Sequence, residues 1–288
     1  MTLPMCRKRA FLVLGSSGKL GKMLRHHWRD FPAEDWAIYW QYRENPLDGG
    51  VRWQPGAPMP GKLPKVDAIV ALWGVTPGPG RVLAENRLLA LQAMELAQVI
   101  GATRVLHCSS AAVYPPGPDP LTEEDAGGDI NAYGTAKLAM EAALAEWAKA
   151  HPAGPKSCAM RIANVVGADS LFAAIKRGDG PITLDRFDDG EGPRRSYVTV
   201  SVLARSIEAL LACSEADLPD VVNVATPGPV AMAALAQAAG CDIAWRPAPK
   251  AAAPMVALDT TRLGKLVPLV SDTPAEMVAA WRRLEPEA

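Results

Sequence analysis

The strongest constraint on the fold is a regular alternation of short apolar runs with stretches of helical periodicity. The first apolar run ends in a turn that carries three glycines within seven residues. Such alternation predicts βαβ units around a parallel sheet, and right-handed crossovers make that sheet doubly wound. The predicted strands are Phe11–Leu14, Trp36–Tyr42, Ala68–Trp73, Arg104–Cys108 and Ser157–Ile162, and the predicted helices are Leu20–Trp28, Arg81–Ile100 and Asn131–Ala150.

Beyond Gly167 the alternation loosens, and Pro and Gly concentrate in Gly178–Pro193. Later patterns predict a strand at Tyr197–Val200 and another at Val221–Val224, then helices at Ala231–Ala239 and Ala275–Leu284. We therefore expect residues 1–167 to form an α/β, Rossmann-like domain to which residues 195–226 return. Residues 168–194 and 227–288 are expected to form a small C-terminal lobe.

Net charge and cysteine content limit the partners and the cellular compartment that we expect for this protein. The net charge of −1 and pI near 6.4 give no reason to expect nucleic acid or an anionic membrane as partner. The basic run Arg7–Arg9 precedes an apolar stretch, but that stretch ends at Gly15 without a cleavage site, and it reads as a buried strand rather than a signal peptide. The five cysteines, among them Cys6, are widely spaced and form neither a disulfide nor a zinc pattern. We expect a cytoplasmic protein with no metal site.

A glycine-rich turn joins the first strand to the first helix. Small residues let the backbone turn sharply and approach a pyrophosphate, whose charge the start of the following helix favours. The turn therefore predicts a dinucleotide site. The residues expected to contact the cofactor here are Gly15, Ser17, Gly18, Lys19, Leu20 and Gly21.

The end of the second strand predicts the choice of cofactor. An acidic residue there would accept hydrogen bonds from the adenosine ribose of NAD, but this chain carries Gln41. Arg43 is available to bind a 2′-phosphate, so NADP is favoured. The alternative is a solvated Arg43, with NAD bound through other contacts.

Tyr133 and Lys137 lie four residues apart at the start of a predicted helix, so both side chains can reach one cleft. A neighbouring ammonium favours the phenolate form of a tyrosine. Tyr133 is therefore a candidate acid/base, and Lys137 is a candidate partner that also holds the cofactor. A surface pair of no catalytic importance is the alternative for this spacing alone.

The order of these motifs resembles the extended short-chain dehydrogenase/reductase family, the NAD-dependent epimerase/dehydratase enzymes. The glycine spacing Gly-x-x-Gly-x-x-Gly, the segment Ser109–Tyr114 and the Tyr-x-x-x-Lys pair all match its pattern. The resemblance implies that Ser110 holds the reacting oxygen, that Trp73 and Gly74 contact the cofactor, and that Asn86 is structural or part of a water relay.

The resemblance extends to the expected substrate side. The stretch Arg161–Gly167 is similar to the family's Arg-x-x-Asn-x-x-Gly, which implies that Asn164 faces substrate while Arg161 is structural. Arg195 matches an arginine that binds the substrate diphosphate, which implies an anionic small-molecule substrate. Dimerisation through the helices at 81–100 and 131–150 would fit the family.

Several departures limit the function that the resemblance implies. The interval from Gly167 to Arg195 is short for a sugar-nucleotide enzyme, and Ala111 and Ala112 replace the acid/base set of the sugar dehydratases. We therefore expect an NAD(P)-dependent epimerase or reductase acting on a secondary alcohol or carbonyl of a sugar or sugar nucleotide. The alternative is a non-catalytic, cofactor-sensing regulator of the same fold.

Overall fold

A seven-stranded parallel sheet dominates the computed structural model, which describes residues 8–47, 49–61 and 63–284. The sheet strands are β1 Arg9–Leu14, β2 Trp36–Tyr42, β3 Val51–Arg52, β4 Ala68–Ala71, β5 Arg104–Ser110, β6 Lys156–Ile162 and β11 Val221–Val224. Their order across the sheet, β11-β6-β5-β4-β1-β2-β3, is that of a doubly wound fold and confirms the predicted fold class.

Eight helices lie in the described part of the chain, and three short sheets complete it. The helices are α1 Lys19–Asp30, α2 Glu85–Ile100, α3 Ala132–Ala150, α4 Ser170–Arg177, α5 Val200–Ala212, α6 Met232–Ala238, α7 Thr261–Gly264 and α8 Pro274–Arg282. The remaining strands are β7 Asn164–Val165, β8 Ile182–Arg186, β9 Arg194–Arg195, β10 Tyr197–Val198, β12 Val230–Ala231, β13 Ile243–Pro247 and β14 Met255–Val256. They pair as β10-β7, β12-β9-β14 and β13-β8.

Sequence patterns placed six of the seven strands of the main sheet within a few residues, but they predicted neither helices α4 and α7 nor most of the short strands. Helix α2 begins at Glu85 rather than at Arg81, and Val200 starts helix α5 instead of ending a strand. The Pro/Gly-rich stretch 178–193 contains strand β8, which the patterns missed. Cys6 and Arg7 lie outside the described residues.

The chain divides into two compact units. The first comprises the chain up to Cys108 together with Ala139–Ala159 and Leu211–Asp220, and the second comprises Ser109–Leu138, Met160–Leu210 and the chain from Val221. Each unit has its own apolar core: Leu12, Ile69 and Met94 are buried in the first, and Phe172 and Leu235 in the second. The predicted division into a Rossmann-like domain and a small C-terminal lobe stays a prediction.

The start of helix α3 packs unusually closely on the turn that follows strand β5. A Cβ atom added at Gly134 would lie 1.9 Å from the carbonyl oxygen of Ala112, in the 3₁₀ turn Ala111–Val113. The Asn131 side chain fixes the same end of the helix by accepting a hydrogen bond of 2.9 Å from the Gly134 N–H. Because only glycine leaves this space, the chain holds Tyr133 and Ser110 on two backbone segments in direct contact.

We predict that Gly134→Ala destabilises the protein by at least about 2 kcal/mol, because the added methyl group overlaps the Ala112 carbonyl and the helix must shift. Gly264→Ala is the matched control, since a Cβ at that helical glycine meets no atom within 4 Å. Urea unfolding measures both variants. Similar unfolding midpoints for the two would contradict the close packing.

Candidate active site

Gly15 directly follows strand β1 and has a backbone conformation that other residues rarely adopt. Its φ is 82°, and an added Cβ atom would lie 2.6 Å from the backbone nitrogen of Trp73. Its N–H donates a 2.8 Å hydrogen bond to Oε1 of Gln41. Sterics and conformation therefore both require glycine at this point of the turn.

The rest of the turn forms a cradle that only small residues permit. Gly18 has extended backbone and precedes helix α1, and its N–H donates to the Gly15 carbonyl at 3.0 Å. A Cβ at Gly21 would lie 2.6 Å from that same carbonyl oxygen. The first N–H groups of α1 have no acceptor within the helix, and they carry its positive end. These features fit the pyrophosphate of a dinucleotide, beside the exposed Ser17 and Lys19.

Gln41, at the position where an acid would read the ribose of NAD, is engaged in the fold. It is buried, and its Nε2 donates to the carbonyl of Trp53 at 2.5 Å while its Oε1 accepts from Gly15. The Ser16 hydroxyl donates to the Gln41 carbonyl. The amide of Gln41 thus braces the glycine turn, and Arg43, two residues further, is exposed.

The third predicted cofactor turn lies after strand β4. The Trp73 ring is half-buried against that of Trp53, with centroids 5.4 Å apart, and Gly74 is exposed. Asn86 is buried and bonds both the N–H and the carbonyl of Val75, at 3.1 and 2.8 Å. This geometry gives Asn86 a structural role in holding the turn against helix α2.

Tyr133 and Lys137 lie one turn apart on helix α3. The Lys137 ammonium is 5.7 Å from the centroid of the Tyr133 ring, and the lysine side chain is only 2% exposed, whereas Tyr133 is half-buried. Ser110 ends strand β5, and its Oγ accepts a 3.2 Å hydrogen bond from the Ala112 N–H. Ser110 therefore caps the 3₁₀ turn on which α3 packs, with its hydroxyl proton free to be donated elsewhere.

Asn164 belongs to a polar cluster that the sequence did not reveal. Its amide donates to Asp169 at 3.3 Å, the Tyr197 hydroxyl donates to the same carboxylate at 3.0 Å, and Asp169 caps helix α4 by accepting from the Phe172 N–H. Burial raises the pKa of Tyr197 above its usual value, and the charge of Asp169 acts in the same direction. The phenol therefore stays protonated and serves as a donor.

Arg195 lies in strand β9 with its guanidinium turned toward backbone carbonyls. It donates to Arg194 at 2.7 Å, Ala253 at 2.8 Å and Pro254 at 3.4 Å. Burial lowers the pKa of Arg195, against the influence of Tyr197 and Asp185. The side chain is thus a half-buried cation whose hydrogen-bond acceptors are all neutral.

Two other features would bear on function in the described residues, a metal-ligating cluster and a membrane-spanning helix. No group of three or more His, Cys, Asp or Glu side chains there is arranged to hold a metal ion. None of the helices described combines the length and the apolar character that crossing a membrane requires.

Comparison with solved structures supports the fold. UDP-glucuronic acid 4-epimerase from Bacillus cereus, in complex with UDP-glucuronic acid and NAD, matches with a TM-score of 0.76 at 14% identity, over 96% of this chain and 98% of that one. UDP-glucose 4-epimerase from Bifidobacterium longum, in complex with NAD+ and UDP, gives 0.69 at 19% identity, over 95% and 98%. UDP-N-acetylglucosamine 4-epimerase from Methanobrevibacter ruminantium M1, in complex with UDP-N-acetylmuramic acid, gives 0.72 at 18%, over 96% and 99%. Likeness at these identities establishes the fold alone.

Comparison by sequence establishes the family. No curated protein sequence matches the chain. The model of the NAD dependent epimerase/dehydratase family matches residues 65–225, which is more than half of the chain and begins after the glycine turn. The chain therefore belongs to the NAD dependent epimerase/dehydratase family, which confirms the predicted family and enzyme class.

Proposed function

We propose that the protein is an epimerase that inverts a secondary alcohol of a nucleotide-activated sugar. The observation that carries the proposal is the pairing of Tyr133 with the buried Lys137 on a helix that packs, through Gly134, on the turn capped by Ser110. Family membership supports it. The solved neighbours named above, each described as a UDP-sugar 4-epimerase, are consistent with it.

In this proposal the phenol oxygen of Tyr133 takes the proton of the substrate hydroxyl and later returns it. The Lys137 ammonium favours the phenolate because it is a cation in a site shielded from water. The Ser110 hydroxyl donates a hydrogen bond to the reacting oxygen of the sugar. When bound, the nicotinamide ring supplies the chemistry of accepting and donating hydride.

The cofactor would be held by the glycine turn 15–21, by the turn at Trp73 and Gly74, and by Lys137. We infer a preference for NADP, since Gln41 presents no carboxylate that would repel a 2′-phosphate. Its side-chain amide is hydrogen-bonded to Gly15 and Trp53. The exposed guanidinium of Arg43 is the group that would bind it.

Arg195 and Asn164 are the groups proposed to bind substrate. The neutral carbonyls that Arg195 now contacts can be exchanged for the oxygens of a diphosphate, which form stronger, charge-assisted bonds. Asn164 would contact the sugar from strand β7. Elimination of water is disfavoured, because Ala111 and Ala112 offer no acid/base pair beside Ser110.

The proposed activity is tested by offering UDP-glucose, UDP-galactose and UDP-glucuronic acid with NAD or NADP. We expect an epimer to form without net change in cofactor absorbance, and Tyr133→Phe to lower kcat by about 10²–10⁴ while cofactor affinity stays unchanged. Tyr39→Phe, a half-buried tyrosine of strand β2, is the matched control.

Two outcomes of this experiment would exclude the epimerase, and a third would exclude only the acid/base role of Tyr133. Stoichiometric reduction of the added NAD or NADP would identify a net oxidoreductase, and cofactor binding with no turnover of any sugar would favour the regulator. Normal turnover in the Tyr133→Phe enzyme would show that its hydroxyl is not the acid/base.

For the cofactor, we predict that Arg43→Ala weakens NADPH binding by roughly ten- to a hundredfold and leaves NADH binding unchanged. The reason is the loss of a charge-assisted hydrogen bond to the 2′-phosphate. Titration by intrinsic fluorescence measures both affinities, with Arg87→Ala on the exposed side of helix α2 as control. Equal weakening of both cofactors would defeat the assignment of Arg43.

A further inference from the structure

The loop between Ser110 and Tyr133 is anchored at its middle by a buried carboxylate. Glu123 is 9% exposed, and its Oε1 accepts a 2.8 Å hydrogen bond from the Asn223 N–H in strand β11. Its Oε2 lies 3.5 Å from Nε of Arg262, in helix α7. Glu123 is therefore buried, whereas the other acidic residues of the loop, Asp119, Glu124 and Asp125, are exposed.

Arg262 holds this carboxylate from the C-terminal part of the chain. Its guanidinium pairs with Glu123 and with the exposed Glu124, and its Nη1 donates to the carbonyl of Val221 at 3.1 Å. The ion pair with Arg262 holds the pKa of Glu124 below its usual range. One arginine thus fixes two successive residues of the loop.

Two further buried groups fix the backbone around Glu123. Arg161 donates from Nη1 both to the Glu123 carbonyl, at 2.6 Å, and to the Tyr114 hydroxyl, at 2.9 Å. That hydroxyl donates to Oδ1 of Asn223 at 2.6 Å. Burial raises the pKa of Tyr114 to about 12, although Arg161 opposes the shift, so the phenol remains a donor at neutral pH.

A displacement of this loop would also move the proposed reacting hydroxyl groups of Ser110 and Tyr133. After Glu123 the loop returns to the turn that follows Ser110, where the Gly127 N–H donates to the Val113 carbonyl at 2.9 Å. A few residues later, helix α3 begins in contact with Ala112 through Gly134. The segment 121–127 is therefore bonded directly to the turn that Ser110 caps, and it leads into the helix that carries Tyr133.

We propose that Arg262 and Glu123 are positioning residues, whose ion pair sets the loop so that Ser110 and Tyr133 are placed for proton transfer. The proposal rests on the function proposed above. Neither residue touches the reacting atoms in this scheme. Their effect on the reaction passes through the loop backbone, where a misplacement of about 1 Å at the reacting groups is enough to cost up to about a hundredfold in rate.

The decisive variant is Arg262→Met, which keeps the bulk of the side chain and removes its charge. We expect kcat to fall by roughly tenfold, with KM and cofactor affinity within twofold of the wild type. Arg262→Lys should restore most of kcat, since it returns a cation to Glu123. Arg246→Met, which removes an exposed arginine paired with Asp185 at 2.7 Å, is the matched control and should leave kcat unchanged.

The role of Glu123 is tested in a double-mutant cycle. Glu123→Gln keeps an acceptor for the Asn223 N–H but removes the charge, so combining it with Arg262→Met should add little to the loss in either single variant. Additive losses, an unchanged kcat in Arg262→Met, or a fall that merely follows the folded fraction would each overturn the proposal.

A readout independent of activity separates this proposal from the proposed function. Hydrogen exchange at the amides of residues 121–127 should quicken in Arg262→Met and not in Arg246→Met, whether or not the wild type turns over a sugar nucleotide. If the wild type is inactive on every sugar tested, the proposed function fails and exchange alone decides the positioning role. Unchanged exchange in Arg262→Met would then overturn it.

Discussion

The buried ammonium of Lys137 on helix α3 is the constraint on which the rest of the candidate site depends. Transfer of such a charge out of water costs several kcal/mol unless neighbouring groups compensate it, and Lys137 is 2% exposed. It lies 5.7 Å from the centroid of the Tyr133 ring, one turn away on helix α3. The start of that helix packs closely on the turn after β5, and Gly134 provides the space.

The fold was largely predictable because its signals are local. Strands β2 and β11 match their apolar runs to the residue, and the glycine turn stands at the first βα junction as the motif requires. Strand β8 escaped prediction because its partner is β13, some sixty residues further along the chain. The local sequence pattern of residues 178–193 cannot predict this strand, because the pairing depends on tertiary contacts alone.

The residue types of the candidate site could be predicted from the sequence, but their hydrogen-bond and ion-pair partners could not be predicted as well. Tyr133 and Lys137 were visible because helical spacing relates them, but the burial of Glu123 depends on Asn223 and Arg262, which are remote in sequence. Gln41 illustrates the same limit, since its identity was read as a missing acid while its amide in fact braces Gly15. Sequence indicates which groups can react, whereas long-range hydrogen bonds decide which of them are already engaged.

The segment 253–259 connects the proposed anion site with the loop between Ser110 and Tyr133. On one side the Ser196 N–H donates to the Val256 carbonyl, and Arg195 caps the carbonyls of Ala253 and Pro254. On the other side Leu121, which lies two residues before Glu123, donates its N–H to the Ala257 carbonyl. A diphosphate that takes the guanidinium of Arg195 would release two carbonyls of this segment. The same segment borders the loop. Binding of the anionic end of the substrate and placement of the Ser110 and Tyr133 hydroxyl groups would therefore depend on the same stretch of backbone.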